Sequence, residues 1–314
     1  MTGLIVQQAV NALTIGAIYA LIALGYTMVY GVLRLINFAH GEMFMLGAYA
    51  ALIVVIFLFP NGAGFWGALV IFLAAFVAVG LIGVAIERAA YKPLRHSSRL
   101  APMLSSLGIS LAIQAAVQLV AGPQPIGFAS LFPAINLQFA GANITTVQIG
   151  IILCALLLMF ALNRFVAGTR LGINVRAVSE NMRTAQLLGI NIDRAISLIF
   201  FIGPGLGAIA GILYASYYGV MTPTMGVIVG LKAFTAAILG GIGSIPGAMI
   251  GGFILGILEV FGTAMLPILT NGYLGTEYRD IFAFAALILV LLFKPSGLLG
   301  ERVSEETMVY KRDF

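Results

Sequence analysis

The sequence predicts an all-α membrane protein, a polytopic transmembrane helical bundle of about eight or nine spans, some of them interrupted. Hydrophobic residues make up 61% of the 314 residues and charged residues only 9%, whereas soluble domains carry about 25% charged residues. Apolar runs long enough to cross about 30 Å of hydrocarbon recur along the chain, and charge is largely confined to the segments between them. We therefore treat residues 1–314 as a single transmembrane domain.

The apolar runs define the spans in chain order. Seven are uninterrupted and lie near residues 5–30, 66–86, 102–120, 147–163, 195–216, 249–266 and 279–293. Two more, 36–59 and 226–243, contain glycines and polar groups, and counting both as full spans gives nine. Because no Lys or Arg precedes Arg34 and no cleavage signal follows a basic start, the first run is expected to be a retained span.

The distribution of charge predicts the orientation, since Lys and Arg concentrate in the cytoplasmic segments of membrane proteins. Three segments are rich in them: 87–99, 164–194 and the tail 294–314. Three others contain no charge: 60–65, 121–146 and 217–225. Alternating the spans between these markers places the tail in the cytoplasm and the N-terminus outside.

Several function classes are excluded by the residues that the sequence lacks. Cys154 is the only cysteine, so there is no disulfide framework. His40 and His96 are the only histidines, which leaves no metal site and no Ser-His-Asp set. There is no Gly-x-x-x-x-Gly-Lys-Ser/Thr loop to hold a nucleotide phosphate. We expect a chain that is not an enzyme, holds no cofactor or metal, and uses its net charge of +5 for orientation rather than nucleic-acid binding.

The longest polar interruption, residues 164–194, carries five arginines against one Glu and one Asp. Apolar and small residues recur within it at i, i+4, i+7 and i+11, which predicts one short helix with an apolar stripe. The stripe contains Val178, Met182, Ala185 and Gly189, and the other side carries Ser179, Glu180, Arg183 and Gln186. Two interpretations remain open: a docking surface for a partner, or a solvated loop that follows the positive-inside rule.

The first interrupted run brings four polar residues into the membrane within nine positions: Arg34, Asn37, His40 and Glu42. Such groups are costly in lipid, so they must face protein, water or the interface. The functional interpretation is a broken helix in which Asn37, His40 and Glu42 line or gate a solute path. The alternative is a helix that starts at the interface, with Asn37 as its cap and Arg34 extending its charge to water.

The second interrupted run contains many glycines between Gly230 and Gly256, and their spacing favours close helix packing over contact with a solute. Lys232 and Glu259 lie about 13 residues on either side of the turn at 243–247, which places both about 20 Å from it. We therefore expect the two to form a buried ion pair, the least costly way to keep both charges in the membrane.

Three motifs resemble those of a known family. They are Asn37-Phe-Ala-His-Gly-Glu42, the set Arg176-Ala177, Asn181, Ala185 and Gly189-Ile190, and Ala233-Phe-Thr-Ala-Ala-Ile-Leu-Gly-Gly-Ile-Gly-Ser-Ile-Pro-Gly-Ala248. In length, motif order and motif content, the chain resembles over nearly its whole length the LivH-type permeases of branched-chain amino-acid ABC importers.

This resemblance implies a fold, partners and a mechanism. The fold would be the compact many-helix architecture of type II importers in a bacterial inner membrane. The partners would be a second similar permease subunit, two cytoplasmic ATPase subunits that hold ATP and Mg, an external solute-binding protein and membrane lipid, with no nucleic acid. Branched-chain or related hydrophobic amino acids would cross by alternating access, driven by movement of a coupling region at 164–194.

The coupling region can be compared with the general importer pattern of Glu-Ala-Ala, three residues and Gly. Ala185 and Gly189 match this pattern, whereas Arg183 and Thr184 stand where Glu and Ala are expected. We expect Gly189 to cap the helix in the left-handed conformation and Ala185 to lie flat against an ATPase groove. The neighbours expected to face the ATPase are Glu180, Asn181 and Arg183.

Other functions remain open at this stage. Close relatives within the family transport urea or short amides, and no residue excludes these solutes. A partner-free channel or ion-coupled transporter would use Glu42, Lys232 and Glu259 as an ion site. A purely structural scaffold is disfavoured by ionisable groups in glycine-broken segments.

Overall fold

The structure, a computed structural model, describes residues 2–60, 62, 64–95, 97–98, 100–131, 134–273 and 275–300. Its helices are α1 (Thr2–Leu33), α2 (His40–Leu58), α3 (Gly64–Ile86), α4 (Lys92–Leu94), α5 (Leu100–Ala121), α6 (Thr146–Gly168), α7 (Arg170–Glu180), α8 (Met182–Leu187), α9 (Ile192–Tyr218), α10 (Met225–Gly240), α11 (Ile245–Leu269) and α12 (Arg279–Phe293). A π-helical turn, Glu87–Tyr91, precedes α4, and a 3-10 turn, Thr276–Tyr278, precedes α12. Residues 301–314 of the predicted tail, and His96, lie outside the described residues.

Each of the nine predicted apolar runs coincides with a helix of the described chain. Seven of these helices are long and apolar enough to cross a membrane. The other two, α10 and α12, have 16 and 15 residues and are shorter than the roughly 20 residues that a full span needs. The predicted helical membrane bundle is thus confirmed, with one interrupted run and the last run forming short helices.

Four short strands depart from the all-helical prediction. They are β1 (Ile126–Gly127), β2 (Asn136–Phe139), β3 (Ala142–Thr145) and β4 (Val220–Met221). β2 and β3 form an antiparallel hairpin, and β1 pairs antiparallel with β4. Backbone groups outside helices need partners, and these ladders provide them. The pairing of β1 with β4 also brings together two uncharged segments, 121–146 and 217–225, on one side of the bundle.

α1 is the centre of the bundle, and every residue from Ala17 to Leu24 is at most 2% exposed. It packs against α11 through glycines. A Cβ atom added at Gly16 would lie 2.9 Å from the Cα of Phe253, and one added at Gly256 would collide with Gly16. Only residues without side chains allow the two backbones to approach this closely. The packing role predicted for the glycines between Gly230 and Gly256 is therefore confirmed at Gly256.

The chain breaks between α1 and α2. α1 ends because Arg34 adopts a left-handed conformation, with φ of 54°, and its side chain is exposed. Residues 34–39 then return along α1, so that His40 begins α2 beside Gly25. Gly25 lies eight residues before the end of α1, which places the start of α2 about 12 Å from that end, inside the bundle. The first interrupted run is therefore a broken helix.

The second interrupted run meets the first at this break. A Cβ atom at Gly230 of α10 would lie 2.8 Å from the Cα of Gly41, and one at Gly41 would collide with Gly226. The first turn of α2 is therefore in backbone contact with the first turns of α10. Glycine at these positions allows two helix N-termini to lie side by side within the bundle.

Candidate functional site

The first candidate site is the start of α2, where Asn37, His40 and Glu42 are at most 4% exposed. Asn37 Oδ1 accepts a hydrogen bond from the Ala39 N–H at 3.0 Å, so its side chain stabilises the turn that leads into α2. The centroid of the His40 ring lies 4.5 Å from that of Tyr26, and neither ring nitrogen of His40 has a hydrogen-bond partner among the described residues. A buried imidazole without partners carries a desolvation cost that polar contacts would remove.

Glu42 is the buried carboxylate of this site. Its Oε1 accepts a hydrogen bond from the Ser110 hydroxyl of α5 at 3.1 Å, whereas Oε2 has no partner among the described residues. A Cβ atom at Gly226 would lie 2.6 Å from Oε2, so glycine makes room for the carboxylate there. The first turns of α2 and α10 favour negative charge, because their N–H groups carry partial positive charge. One carboxylate oxygen thus remains unpaired in a closed, packed site.

The second site is a buried charge network between α1, α10, α11 and α12. Lys232 Nζ lies 2.8 Å from Glu259 Oε1, as the expected ion pair requires, and both side chains are at most 1% exposed. Asp280 Oδ1 lies 2.6 Å from Lys232 Nζ, and Arg279 Nε lies 3.1 Å from Glu259 Oε1. Tyr19 donates a hydrogen bond to Glu259 Oε2 at 2.9 Å. Two positive and two negative charges therefore balance each other.

Sequence reasoning missed Tyr19, Arg279 and Asp280 as members of this network. Arg279 and Asp280 stand at the start of the apolar run 279–293, and no contact with Lys232 or Glu259 was expected for them. In the structure α12 begins beside the middle of α10, because Asp280 reaches Lys232 directly. The available signal was the pair of adjacent opposite charges at the start of the last apolar run. Such a pair can be buried in a bundle at a lower free-energy cost than a single charge.

The predicted coupling region contains two helices rather than one. α7 ends at Glu180 and α8 begins at Met182, so the single helix expected from the apolar stripe is wrong. The break falls at Asn181, whose backbone is extended and whose Oδ1 accepts a hydrogen bond from the Thr184 N–H at 3.0 Å. Asn is favoured at such a position because its side chain satisfies an N–H group that the first helical turn leaves unpaired.

Gly189 ends α8 in the conformation that the sequence predicts. Its φ is +80°, and the N–H of Ile190 donates a hydrogen bond to the Ala185 carbonyl at 3.0 Å, the six-residue closure of a Schellman motif. No heavy atom lies within 4 Å of a Cβ atom added at Gly189. Glycine is therefore favoured here by backbone conformation rather than by lack of space.

The apolar stripe of this region faces the chain itself. Val178 and Ala185 are 1% and 2% exposed and belong to the chain's own core, which leaves Ala185 no open surface to lay against an ATPase. Sequence reasoning missed the exposed leucines, Leu187 and Leu188, which are 83% and 73% exposed. We call the exposed set the coupling surface; it consists of Glu180, Asn181, Arg183, Thr184, Gln186, Leu187 and Leu188.

A charge cluster joins the start of α9 to the connection between α3 and α5. Arg95 donates hydrogen bonds to Glu87 Oε1 and Asp193 Oδ1, both at 2.7 Å. Glu87 is 1% exposed, and its second oxygen accepts a hydrogen bond from Ser197 at 3.1 Å. Lys92 also pairs with Asp193, at 2.7 Å. Charge counts assigned these segments to one side of the membrane but gave no signal that they meet.

The structure is a bundle of membrane-crossing helices with a broken central segment and buried charges. An exposed basic region lies between two of its spans. Together these features indicate the class of solute permeases. A family model described as "Branched-chain amino acid transport system / permease component" matches residues 8–291, and the chain belongs to this family.

Individual relatives match the chain over almost its full length. It is 46% identical over 303 residues to the high-affinity branched-chain amino acid transport system permease protein LivH of Escherichia coli (strain K12), covering 94% of this chain and 95% of the relative. It is 44% identical over 301 residues to the corresponding permease protein BraD of Pseudomonas aeruginosa, with coverages of 94% and 95%. A probable LivH of Methanocaldococcus jannaschii is 28% identical over 301 residues, with coverages of 92% and 91%. No solved structure matches the chain significantly.

Proposed function

We propose that this chain is the permease subunit through which an ABC importer translocates branched-chain or closely related hydrophobic amino acids. The observation that carries the proposal is 46% identity over 94% of the chain to a high-affinity branched-chain amino acid permease protein. The similarity extends over the spans, the broken segments and the coupling region together. Agreement of this extent supports a shared solute class more strongly than any single motif.

Energy and first recognition of the solute come from other subunits in this proposal. A second, similar permease subunit pairs with this chain, two cytoplasmic ATPase subunits hold ATP and Mg, and an external binding protein delivers the solute. The coupling surface supports an ATPase contact, because it combines a charged residue, Arg183, with two large exposed apolar side chains, Leu187 and Leu188. Interfaces bury such side chains at their centre.

Asn37, His40 and Glu42 form the gate of the solute path. The glycine contacts between α2 and α10 would hold this gate closed. Contacts of this kind separate without displacing interlocked side chains. Separation would admit water to the unpaired atoms of His40 and Glu42, which lowers the cost of opening because their missing hydrogen bonds are then made. The site is suited to a two-state gate.

α9 connects the coupling region to this gate. It follows α8 directly, and its first turn is tied to the α3–α5 connection through Asp193 and Arg95. Farther along, a Cβ atom at Gly207 of α9 would lie 3.7 Å from His40 Nε2, and one at Gly203 would lie 3.2 Å from the Gly25 carbonyl oxygen. A displacement of α7 and α8 by the ATPase therefore reaches the start of α2 through one continuous helix.

The proposed function is tested by uptake in proteoliposomes that contain the complete complex. ATP-dependent accumulation of leucine, isoleucine and valine is expected, without accumulation of urea or acetamide. Vesicles that lack this chain are the control. Preferential uptake of urea or a short amide would assign the chain to the other solute class of the family, and uptake driven by an ion gradient without ATP would contradict an ABC importer.

We also propose that the protein lies in a bacterial inner membrane with its N-terminus outside, its C-terminus in the cytoplasm and residues 164–194 at the cytoplasmic face. Single cysteines at Ala129 and at Ile173, which is exposed and lies outside the coupling surface, test this in a Cys154→Ala background. An impermeant thiol reagent added to whole spheroplasts should label the first and not the second, and lysis should make the second reactive. Equal labelling before lysis would contradict the orientation.

A further inference from the structure

A row of polar residues runs along α5, a helix whose only other polar side chain is that of Ser105. Ser106, Ser110, Gln114 and Gln118 follow one another at intervals of four. Four residues turn an α-helix by about 400°, so each step drifts by about 40° and rises about 6 Å. The row therefore winds slowly around α5 from one end toward the other. The exposure of its side chains changes along the row: both serines are at most 6% exposed, whereas both glutamines are half-buried.

The inner end of the row lies on the gate. The Ser106 hydroxyl oxygen accepts a hydrogen bond from the Phe38 N–H at 3.3 Å, within the break between α1 and α2. The Ser110 hydroxyl donates to Glu42 Oε1 at 3.1 Å. The Glu42 oxygen that Ser110 leaves unpaired is buried at the same place. The row is thus continuous with the one carboxylate of the broken segment.

The outer part of the row is polar and has no side-chain hydrogen bond to the described residues. Neither Gln114 nor Gln118 makes a side-chain hydrogen bond to the described residues, and Gln118 lies about 12 Å along the helix from Ser110. Each amide has donors and acceptors whose transfer into hydrocarbon without hydrogen bonds costs several kcal/mol. The neighbouring Ala115 and Leu119, turned by about 100°, are exposed and apolar, as lipid-facing residues should be. Two amides at this spacing therefore face water, a polar solute or the proposed second permease subunit rather than lipid.

We propose that Gln114 and Gln118 form one wall of the outer half of the solute path and lead to Ser110 and Glu42, whose unpaired oxygen receives the ammonium group of an amino acid. The inference rests on the proposed function and adds a set of path-lining residues on α5. Amides can donate to the carboxylate and accept from the ammonium group of a zwitterion, so they can pass it inward without holding it tightly. Glu42, as a buried carboxyl group whose Oε2 has no partner among the described residues, is the complementary end point for the cation.

Cysteine reactivity tests the wall in the complete complex reconstituted in a Cys154→Ala background. Gln114→Cys is compared with Ala115→Cys, which lies at the same depth on the apolar side of α5. A hydrophilic, impermeant methanethiosulfonate added outside should modify Gln114→Cys at least about tenfold faster than Ala115→Cys, because the reagent reaches only water-lined positions. Leucine delivered by the binding protein should slow modification of Gln114→Cys and leave that of Ala115→Cys unchanged.

Equal rates at the two positions, or modification of Gln114→Cys only by a membrane-permeant reagent, would overturn the proposal. A second variant keeps the test independent of cysteine chemistry: Gln114→Leu should lower leucine uptake at least about fivefold with an unchanged melting temperature, since a half-buried amide contributes little to packing. Normal uptake by this variant would also contradict the wall. Because the unsubstituted complex is assayed for uptake beside these variants, failure of the proposed function would be seen separately.

Discussion

Replacing Lys232 by methionine is expected to destabilise the protein by about 3–5 kcal/mol, which would appear as a large fall in melting temperature of the detergent-purified protein. Lys232 is 1% exposed and lies between Glu259 and Asp280, so its loss leaves one negative charge uncompensated inside the bundle. Methionine is apolar and of similar length, and therefore the loss reports on charge more than on an empty cavity.

A double variant distinguishes pairing from packing. Lys232→Met combined with Glu259→Gln removes one charge of each sign and leaves Arg279 and Asp280, 3.8 Å apart, as a balanced pair. We expect the double variant to be more stable than the sum of the two single losses by about 1–3 kcal/mol, because residues in direct contact are not additive. Additive losses would show that the network does not hold the helices together through charge.

A third variant is the matched control for exposure. Asp280 is 43% exposed, whereas Glu259 is fully buried. Asp280→Asn should therefore lower the melting temperature less than Glu259→Gln does, because Lys232 keeps its buried partner Glu259 and the lost carboxylate was partly solvated. The same thermal unfolding assay measures both, and the opposite order would place the critical charge at Asp280.

The spans, the cap at Gly189 and the pairing of Lys232 with Glu259 could be predicted because each follows from a pattern along one segment. Apolar length determines which segments can cross a membrane. A glycine after the last residue of an apolar stripe favours the left-handed cap. Equal distances from one turn place two residues of a hairpin at one depth, and a buried charge then needs the other.

The remaining contacts could not be predicted, because they join segments distant in sequence. The pairing of Arg95 with Asp193 depends on where two connections between helices lie in space. The burial of Ala185 shows a second limit: the period of an apolar stripe reveals that one side of a helix is covered, but a stripe covered by the chain itself has the same period as one covered by a partner. The structure distinguishes the two cases, because it shows that Ala185 is buried by the chain itself and that Leu187 is exposed on the other side.

Leu187→Asp is expected to reduce solute uptake at least about tenfold while this subunit keeps its melting temperature, because a carboxylate there would have to be desolvated without a partner at the ATPase contact. The side chain is 83% exposed and contributes little to the chain's own core. ATP hydrolysis should continue or fall much less than uptake, because the proposed function assigns hydrolysis to separate ATPase subunits. Leu187→Met, which keeps an apolar side chain of similar size, is the matched control and should transport normally.

Ala185→Trp acts on the same region from its buried side and therefore gives a different result. Its side chain is 2% exposed, so the larger ring should overpack the core and lower stability by about 1–3 kcal/mol as well as reduce uptake. Uptake, ATP hydrolysis and melting temperature, measured on complete complexes in liposomes and in detergent, distinguish the two variants: loss of transport without loss of stability is expected only for Leu187→Asp. Normal coupled transport by Leu187→Asp would show that the coupling surface is exposed to solvent and does not contact the ATPase. The assignment of ATP-driven uptake would then depend on the similarity to relatives alone.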